Sequence, residues 1–274
     1  MMINMKKYVY QIFYDDKSKN QLLPGFIPLD NTTNQRPDWF EFWVILNYLR
    51  QNELEEGAWY GFLSPKFFGK MGYASDVVNH VLDTSSEQTD VALFSPGWDQ
   101  LSFFLNPFEQ GEVWHPGLLA ASQKFLDELK MKINLQSFVT DANSSVFSNY
   151  IVAKKRFWSR WQTIAENFFN HVESSSENQS LTHYGVKGNI LPMKVFVQER
   201  LASIILSTEN FNVVTPNHSF IGQIFNRLFP DDIETRILLQ TCNLMKSNYR
   251  SSGEEEYLRM YWRLRAQIKF QPQL

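Results

Sequence analysis

Polar side chains with the capacity for chemistry follow short apolar segments at several places in this chain. Ser64 and Lys66 come directly after the apolar run at residues 58–63, with Pro65 between them. A cation just beyond the end of a strand can neutralise a phosphate or diphosphate group. The alternative for Lys66 is a lysine that only faces solvent. These residues predict an anion-binding position, provided that residues 58–63 form a strand.

Two carboxylates and a histidine follow the next apolar segment. Asp99 stands beside Trp98, and Glu109 and His115 come later in the same region. A carboxylate beside a tryptophan at the end of a strand can act as a general base on a sugar hydroxyl or on water. Asp99 could equally begin a helix as its N-cap, and His115, constrained by Pro116, could equally be a structural hydrogen-bonding group. We interpret Asp99, Glu109 and His115 as candidate catalytic residues.

Two further polar positions interrupt apolar segments. Asn149 lies within the strand-like run at residues 145–153, and a buried amide must be paired, so it is either a structural bridge or a ligand contact. Glu199 and Arg200 lie within an otherwise apolar helical segment at residues 194–206. A buried charge costs several kcal/mol unless it is paired, so at least one of the two needs a partner.

The apolar periodicity predicts the elements that must position these side chains. Asp38 with Glu41 three positions later has the pattern of a capping box that begins a helix, and the proline-broken stretch at residues 22–31 is predicted as an extended loop. The predicted strands are residues 8–14, 58–63, 90–94, 145–153 and 211–214. The predicted helical segments are residues 39–51, 75–82, 100–130 with two interruptions, 156–172, 194–206 and most of the chain after 216.

The order strand, loop, helix, strand at the head of the chain predicts an α/β fold with a mostly parallel central sheet. In such folds ligands bind where loops leave the carboxyl ends of the strands. Ser64, Lys66 and Asp99 all follow predicted strand ends, so the candidate site residues fall where that rule places a ligand.

Composition excludes several classes of protein. The chain has 274 residues, a net charge of -3 and no basic stripe at helical or strand spacing, so we expect no nucleic-acid partner. One cysteine excludes an intramolecular disulfide framework, and five scattered histidines without a CxxC pair do not predict a zinc site. The start of the chain resembles neither a signal peptide nor an anchor, and no stretch approaches the length of a membrane-spanning helix. We therefore expect a cytoplasmic protein.

Aromatic residues make up 15% of the chain. Most of them are expected to fill the core, as large rings do. Flat aromatic faces also suit the apolar faces of pyranose rings and nucleobases. Tyr10, Trp39 and Trp98 are the candidate stacking faces.

Five segments, in order along the chain, share a pattern with a known group of proteins. They are Tyr10-Gln11-Ile12-Phe13, Asp38-Trp39-Phe40-Glu41-Phe42-Trp43, Trp59-Tyr60-Gly61-Phe62-Leu63-Ser64, Ser148-Asn149-Tyr150-Ile151-Val152-Ala153-Lys154 and Lys194-Val195-Phe196-Val197-Gln198-Glu199-Arg200-Leu201. The pattern resembles bacterial GT-A-like glycosyltransferase-type proteins of surface or capsular polysaccharide gene clusters. The resemblance covers about residues 8 to 215.

The resemblance implies a GT-A-like, Rossmann-like domain at residues 1–215, which binds a nucleotide-sugar, with residues 216–274 as a helical C-terminal extension packed on it. It also implies a nucleotide-sugar donor and transfer of the sugar to a hydroxyl of a surface-polysaccharide or oligosaccharide acceptor. Glu41 and Lys66 would lie near the donor, and Glu199 near the active edge of the sheet. The complete set of predicted donor-binding residues is Tyr10, Gln11, Trp39, Glu41, Ser64, Lys66, Trp98, Asn149 and Glu199.

The chain departs from the family in its metal motif. Many GT-A enzymes hold a divalent cation, Mg²⁺ or Mn²⁺, with an Asp-x-Asp sequence at a strand end. The comparable places here read Ser64-Pro65-Lys66 and Ser95-Pro96-Gly97, and Asp-x-Asp occurs nowhere in the chain. We therefore expect Lys66 to replace the charge of the metal.

Two other functions fit the same residues. The first is a non-catalytic module that binds a glycan or a nucleotide, or that assembles a polysaccharide-synthesis system. A pocket lined only by aromatic and amide groups would favour that module, whereas carboxylates in the pocket would favour catalysis. The second is a glycoside hydrolase, which needs two carboxylates across a groove; Asp99 with Glu109 or Glu112 would supply them.

Overall fold

The centre of the protein is a six-stranded mixed sheet with helices on both faces. This computed structural model describes residues 5–94, 97–176, 179–184, 189–216 and 228–272. The strand order in the sheet is β2-β1-β3-β5-β4-β8. The strands are β1 (Lys7–Phe13), β2 (Ile27–Asp30), β3 (Trp59–Leu63), β4 (Val91–Leu93), β5 (Ile151–Ala153) and β8 (Val213–Val214), and a separate antiparallel pair is formed by β6 (Leu181–Tyr184) and β7 (Asn189–Pro192).

One strand of the sheet runs against all the others. β1 pairs in parallel with β2 and β3, and β4 pairs in parallel with β8. β5 lies between β3 and β4 and is antiparallel to both. The amino end of β5 therefore lies at the same edge of the sheet as the carboxyl ends of the other five strands, so loops from every strand can meet there.

Side chains of the strands alternate between two apolar cores, as the period of two in a strand requires. Ile12, Phe62 and Leu93 pack on one face with the helices that carry most of the aromatic rings. Val9 and Val152 pack on the opposite face. Both faces of the central strands are covered, which explains why their sequences are continuously apolar.

The helices that flank the sheet follow the predicted order. α2 and α8 pack against each other on the first face, and α11 and α12 form a pair that packs on α5. The helices are α1 (Asp16–Lys19), α2 (Phe40–Gln51), α3 (Phe67–Met71), α4 (Ser75–Thr84), α5 (Trp98–Phe103), α6 (Pro107–Trp114), α7 (Leu118–Glu128), α8 (Lys155–Glu173), α9 (Met193–Gln198), α10 (Leu201–Thr208), α11 (Ile233–Ser252) and α12 (Glu255–Arg265). No helix in the described part of the chain is long and apolar enough to cross a membrane.

The predicted fold class is confirmed as an α/β fold with a mostly parallel sheet and flanking helices. Several details differ. The predicted loop at residues 22–31 contains β2, because its backbone pairs with β1 despite Pro28. The predicted strand at residues 145–153 is ordered as a strand only from Ile151, so Asn149 lies in the loop before β5. The predicted helix at residues 194–206 is two helices that break at Glu199 and Arg200.

The predicted capping box at the start of α2 is wrong. Trp39 is the N-cap of this helix and makes no side-chain cap hydrogen bond. Asp38 instead accepts hydrogen bonds from Arg36 and from Lys194, whose Nζ lies 2.5 Å from Oδ2 of Asp38. Ion pairing with these cations lowers the pKa of Asp38 to about 2, although burial of the carboxyl opposes the shift. Tertiary charge pairing has replaced local capping here.

Candidate functional site

A pocket of about 770 Å³ lies at the edge of the sheet where the strand ends meet. Tyr14 follows β1, Asn31 follows β2, Ser64 follows β3, and Tyr150 precedes the reversed β5; all of them line the pocket. The amino-terminal end of α2 and the junction between α9 and α10 close its sides. The site is therefore at the position that the ligand rule for α/β sheets predicts.

The rim of the pocket carries exposed aromatic rings and lysines. Tyr14 and Phe40 are 40% and 42% exposed, and Lys66 and Lys70 are exposed at the start and the last turn of α3. Lys66 follows Ser64-Pro65, where the proline ends β3 and turns the chain outward. Lys70 lies one turn further along α3, so both ammonium groups are on the same side of the opening.

Phe40 holds a strained backbone at this rim. Its φ is 50° and its ψ is -140°, a region that a residue with a Cβ rarely adopts. Such conformations persist where surrounding structure imposes them, and they cluster at ligand sites. The Phe40 ring lies at the mouth of the pocket, whereas Phe42 is fully buried in the core.

The inner wall is polar and buried. Ser64 Oγ and the Tyr150 hydroxyl are 3.1 Å apart, and the ammonium of Lys70 lies 5.6 Å from the centre of the Tyr150 ring. Asn149 is 8% exposed and donates from Nδ2 to Oε1 of Gln198 at 3.2 Å. Burial raises the pKa of Tyr150, so this hydroxyl is a neutral hydrogen-bonding group at physiological pH.

Four oxygen atoms surround the guanidinium of Arg200 at the wall of the pocket. Its guanidinium donates to the carbonyls of Pro107 and Phe196 at 2.8 and 2.6 Å and to Oε1 of Gln110 at 2.7 Å, and Oε2 of Glu199 lies 3.9 Å away. Gly111 makes this possible, because a Cβ there would lie 2.9 Å from Nε of Arg200. Burial lowers the pKa of Arg200 to about 10, which leaves it charged near neutral pH.

Glu199 presents its carboxylate to the pocket, with 28% of the side chain exposed. Burial raises the pKa of Glu199 to about 7, and Arg200, Lys70 and Lys66 oppose that shift while Glu41 adds to it. Glu41 and Glu199 both line this pocket. A carboxyl that titrates near neutral pH can accept a proton in one step and release it in another.

Predicted site residues divide into those that line the pocket and those that do not. The ones that line it are Glu41, Ser64, Lys66, His115, Asn149 and Glu199. His115 is buried and stacks on Phe196 with the ring centres 3.6 Å apart. The pocket is large enough for a nucleotide, so the structure brings these predicted residues to one place where a ligand of that size fits.

The predicted stacking faces Tyr10, Trp39 and Trp98 lie outside the pocket. The Tyr10 hydroxyl is 2.8 Å from that of Tyr48, and Trp98 is buried under the C-terminal helices. Trp39 is fully buried: its Nε1 donates to Glu173 at 3.1 Å, and the Lys194 ammonium lies 4.3 Å from its ring centre. Aromatic type cannot distinguish a core ring from a surface ring, which is why the prediction missed Phe40 and Tyr14.

Gln11 and the predicted carboxylates also lie outside the pocket. Gln11 accepts a hydrogen bond from the Leu23 amide at 2.7 Å and fixes the loop before β2. Asp99 is fully buried in the first turn of α5 and accepts from the amide of Gln100 at 2.8 Å. Glu109 accepts from the Leu105 amide at 2.6 Å and pairs with Arg265 at 2.7 Å.

Glu112 is likewise engaged in structure, accepting from the amides of Gly117 and Leu119 at 2.8 and 2.7 Å. It does not line the pocket, and neither do Asp99 and Glu109. The carboxylate pair expected for a glycoside hydrolase is therefore not assembled by these residues.

The pocket offers a poor donor set for a divalent cation. Within the described ranges no group of three or more His, Cys, Asp and Glu side chains could hold a metal ion. The two carboxylates of the pocket, Glu41 and Glu199, share it with the cations Lys66 and Lys70. Cationic neighbours compete with a metal for the same carboxylates, so these residues do not fit the Mg²⁺ or Mn²⁺ site that the family resemblance implies.

Comparison with known proteins adds no relative. No protein-family model, no curated protein and no solved structure matches this chain.

Proposed function

We propose that this protein is a cytoplasmic glycosyltransferase with a GT-A-like domain. It would transfer a sugar from a nucleoside diphosphate to a hydroxyl of a surface-polysaccharide or oligosaccharide acceptor. The observation that carries this proposal is the convergence of two lysines, two carboxylates and exposed aromatic rings on one pocket at the carboxyl edge of the sheet. Each of those groups can contact a different part of a nucleotide-sugar or act on it.

The rim suits the nucleoside diphosphate. The ammonium groups of Lys66 and Lys70 can balance the charge that develops on the diphosphate as it leaves, a role that a metal ion has in other transferases. The exposed rings of Tyr14 and Phe40 offer flat faces to a nucleobase. This placement leaves the inner wall for the sugar.

Glu199 is the proposed general base. As the acceptor oxygen bonds to the anomeric carbon, its proton passes to the Glu199 carboxylate, and the bond to the diphosphate breaks with its electron pair on the departing oxygen. A pKa of about 7 suits this role, because the group is partly ionised at neutral pH and still basic enough to take the proton. Asp99 and Glu109, the bases expected from the sequence, lack access to the pocket.

A thermal-shift screen tests the donor site. The protein is heated with UDP, GDP, dTDP or CMP, and with UDP-glucose, GDP-mannose or dTDP-glucose, each with Mn²⁺ and with EDTA. A ligand at 100 times its Kd stabilises the fold by about 2.7 kcal/mol, which is visible as a rise in Tm. A rise that survives EDTA supports donor binding by Lys66 and Lys70. No rise with any of these compounds would refute the donor site.

A second experiment, on the carboxylate Glu199, distinguishes a transferase from a module that only binds its ligand. A binding module needs no base, whereas a transferase slowly hydrolyses its donor when water replaces the acceptor. Incubation of the protein with the sugar nucleotide that binds, followed by chromatography of the released nucleoside diphosphate, measures this reaction. We expect Glu199→Gln to bind the donor and to lose hydrolysis by at least tenfold. Equal hydrolysis by both proteins would favour the binding module.

A further inference from the structure

The side-chain oxygen of Asn149 is a buried acceptor without a hydrogen-bond donor in the described structure. The residue is more than nine-tenths buried, and it lines the inner wall of the pocket. Buried polar atoms in native proteins are nearly always paired, because an unpaired acceptor loses its hydration without compensation. An unpaired acceptor on a residue that lines a pocket indicates a group whose partner arrives with the ligand.

The surrounding structure holds this oxygen in place. Nδ2 of Asn149 donates to Oε1 of Gln198, which is itself buried at the last position of α9. On the chain, the Tyr150 amide donates to the Ser148 carbonyl at 2.7 Å, so a tight turn fixes the backbone on both sides of Asn149. Of the two polar atoms in the Asn149 side chain, Nδ2 has a partner in Gln198 and Oδ1 has none in the described structure. It can therefore accept a hydrogen bond from a ligand.

A hydrogen-bond acceptor such as Oδ1 can pair only with those parts of a nucleotide-sugar that carry a hydrogen-bond donor. Phosphate oxygens carry no proton at neutral pH and would be repelled by Oδ1. The cations that suit phosphate, Lys66 and Lys70, are exposed at the rim, as are the rings of Tyr14 and Phe40. The part of the ligand that reaches Asn149 must be inward of these groups and must carry an O–H or N–H donor.

We propose that Asn149 Oδ1 accepts a hydrogen bond from a hydroxyl of the donor sugar and makes the pocket selective for the glycosylated nucleotide over the free diphosphate. This inference rests on the proposed function, because it takes the ligand to be a nucleotide-sugar. Asn149 is a specificity-determining residue in this assignment. Glu199 lies on the same pocket, so the sugar held by Asn149 is within the space of the proposed base.

The test compares two affinities in one protein. Isothermal titration calorimetry gives the Kd of UDP and of UDP-glucose, or of the pair that binds in the screen, for wild type, Asn149→Leu and Asn149→Asp. The ratio of the two Kd values isolates the sugar, because nucleobase and diphosphate are common to both ligands. Asn149→Leu is expected to weaken UDP-glucose on the order of tenfold and UDP less than twofold. Asn149→Asp keeps an acceptor oxygen and is expected to retain a ratio closer to wild type.

Lys66→Ala is the matched control. It removes a rim cation proposed to face the diphosphate in both ligands, and the terminal phosphate of UDP carries the larger negative charge. Lys66→Ala is therefore expected to weaken UDP at least as much as UDP-glucose, the opposite of the pattern expected for Asn149→Leu. An unchanged UDP affinity in Asn149→Leu also shows that this variant is folded.

Three outcomes would overturn the inference. Equal weakening of UDP and UDP-glucose by Asn149→Leu would make Asn149 a structural residue. An unchanged Kd ratio in both Asn149 variants would remove the residue from the sugar contact. Failure of every nucleotide and sugar nucleotide to bind wild type would refute the proposed function itself, and the inference with it. The first two results leave the proposed function standing, so the two failures are distinguishable.

Discussion

At the scale of single residues, Glu199 is a carboxyl of the pocket whose pKa is raised to about 7. Its carboxyl is surrounded by protein on most sides, and burial is the main cause of its raised pKa. Three cations and Glu41 act on it at the same time, so its charge responds to changes in any of them. A group of this kind affects stability as well as chemistry, because a raised pKa in the folded state is a free-energy difference.

Glu199→Gln is expected to remove part of the pH dependence of folding. The folded pKa of about 7 lies above the unfolded value near 4.5, so the folded state retains a proton that the unfolded state has lost. Stability contributed by this group is therefore complete below the unfolded pKa and is lost as the pH rises from about 4.5 through 7, by up to about 3 kcal/mol. Urea unfolding at pH 5 and 7.5 measures the effect in both proteins. Identical pH dependence in the variant would contradict a raised pKa.

At position 40 we expect the glycine variant to be more stable than the alanine variant, which is unusual at the start of a helix. Both substitutions delete the ring, but only glycine adopts a φ of 50° with a ψ of -140° without strain. Phe40→Gly should therefore exceed Phe40→Ala in free energy of unfolding by about 1 to 3 kcal/mol. Both variants should lose nucleotide affinity, since both lack the exposed face. If alanine were the more stable of the two, the backbone strain would not exist.

At the scale of elements, the contact between α6 and the α9–α10 junction shapes the pocket wall. α9 ends at Gln198, and Arg200 turns back over α6 to cap carbonyls of Pro107 and Phe196. These hydrogen bonds fix the break between the two helices against α6. Gly111 on α6 supplies the space for the guanidinium.

Gly111→Ala is expected to destabilise the protein although alanine is the better helix former. The added Cβ would meet Nε of Arg200 and Cδ1 of Leu118, each at 2.9 Å, in a buried contact that cannot open without loss of packing. We expect a loss of about 1 to 3 kcal/mol in the free energy of unfolding. Gly69→Ala on α3 is the matched control, because nothing lies within 4 Å of its Cβ position. It should be neutral or stabilising by about 0.5 to 1 kcal/mol, and equal losses at both positions would exclude the steric argument.

At the scale of the whole molecule, the C-terminal helices are joined to the sheet domain by buried polar bonds as well as by packing. Lys246 on α11 is fully buried and donates to the carbonyls of Leu101 and Phe104 at the end of α5. On α12, the Tyr261 hydroxyl donates to the Phe103 carbonyl at 2.6 Å. The proposed extension at residues 216–274 stays a prediction as a domain boundary, but its described part shares one core with α5.

Labelling of Cys242 can measure whether the C-terminal helices unfold together with the sheet. It is the chain's single cysteine, it is buried on α11, and burial raises the pKa of its thiol to about 11. A thiol of this kind reacts with an alkylating reagent only when α11 opens. We expect the free energy of opening, from labelling rates in low urea, to match the global free energy of unfolding. A much smaller value would show that the C-terminal helices detach before the sheet unfolds.

The sequence by itself determined the order of the main strands and helices and the edge at which the pocket lies. β1, β3, β4, α2 and α8 follow from apolar runs and helical spacing, because those patterns record which faces are buried. Ser64-Pro65 ends β3 as predicted and places the cation Lys66 just beyond the strand, and Asn149 and Glu199 stand out as polar residues within apolar segments. Burial of a polar side chain within an apolar segment costs free energy unless the side chain is paired. Such a residue can therefore be recognised from the sequence alone.

Only the tertiary structure decided which of the polar and aromatic residues meet. Asp99 and Glu109 are carboxylates like Glu199, and Trp39 is aromatic like Phe40, yet Gln100, Arg265 and Lys194 engage these three residues outside the pocket. β2 pairs with β1 through backbone hydrogen bonds, which do not depend on an apolar pattern. Local patterns encode burial, whereas a site depends on distances between residues far apart in the chain, and those distances are set by how the sheet, α2 and the α9–α10 junction pack together.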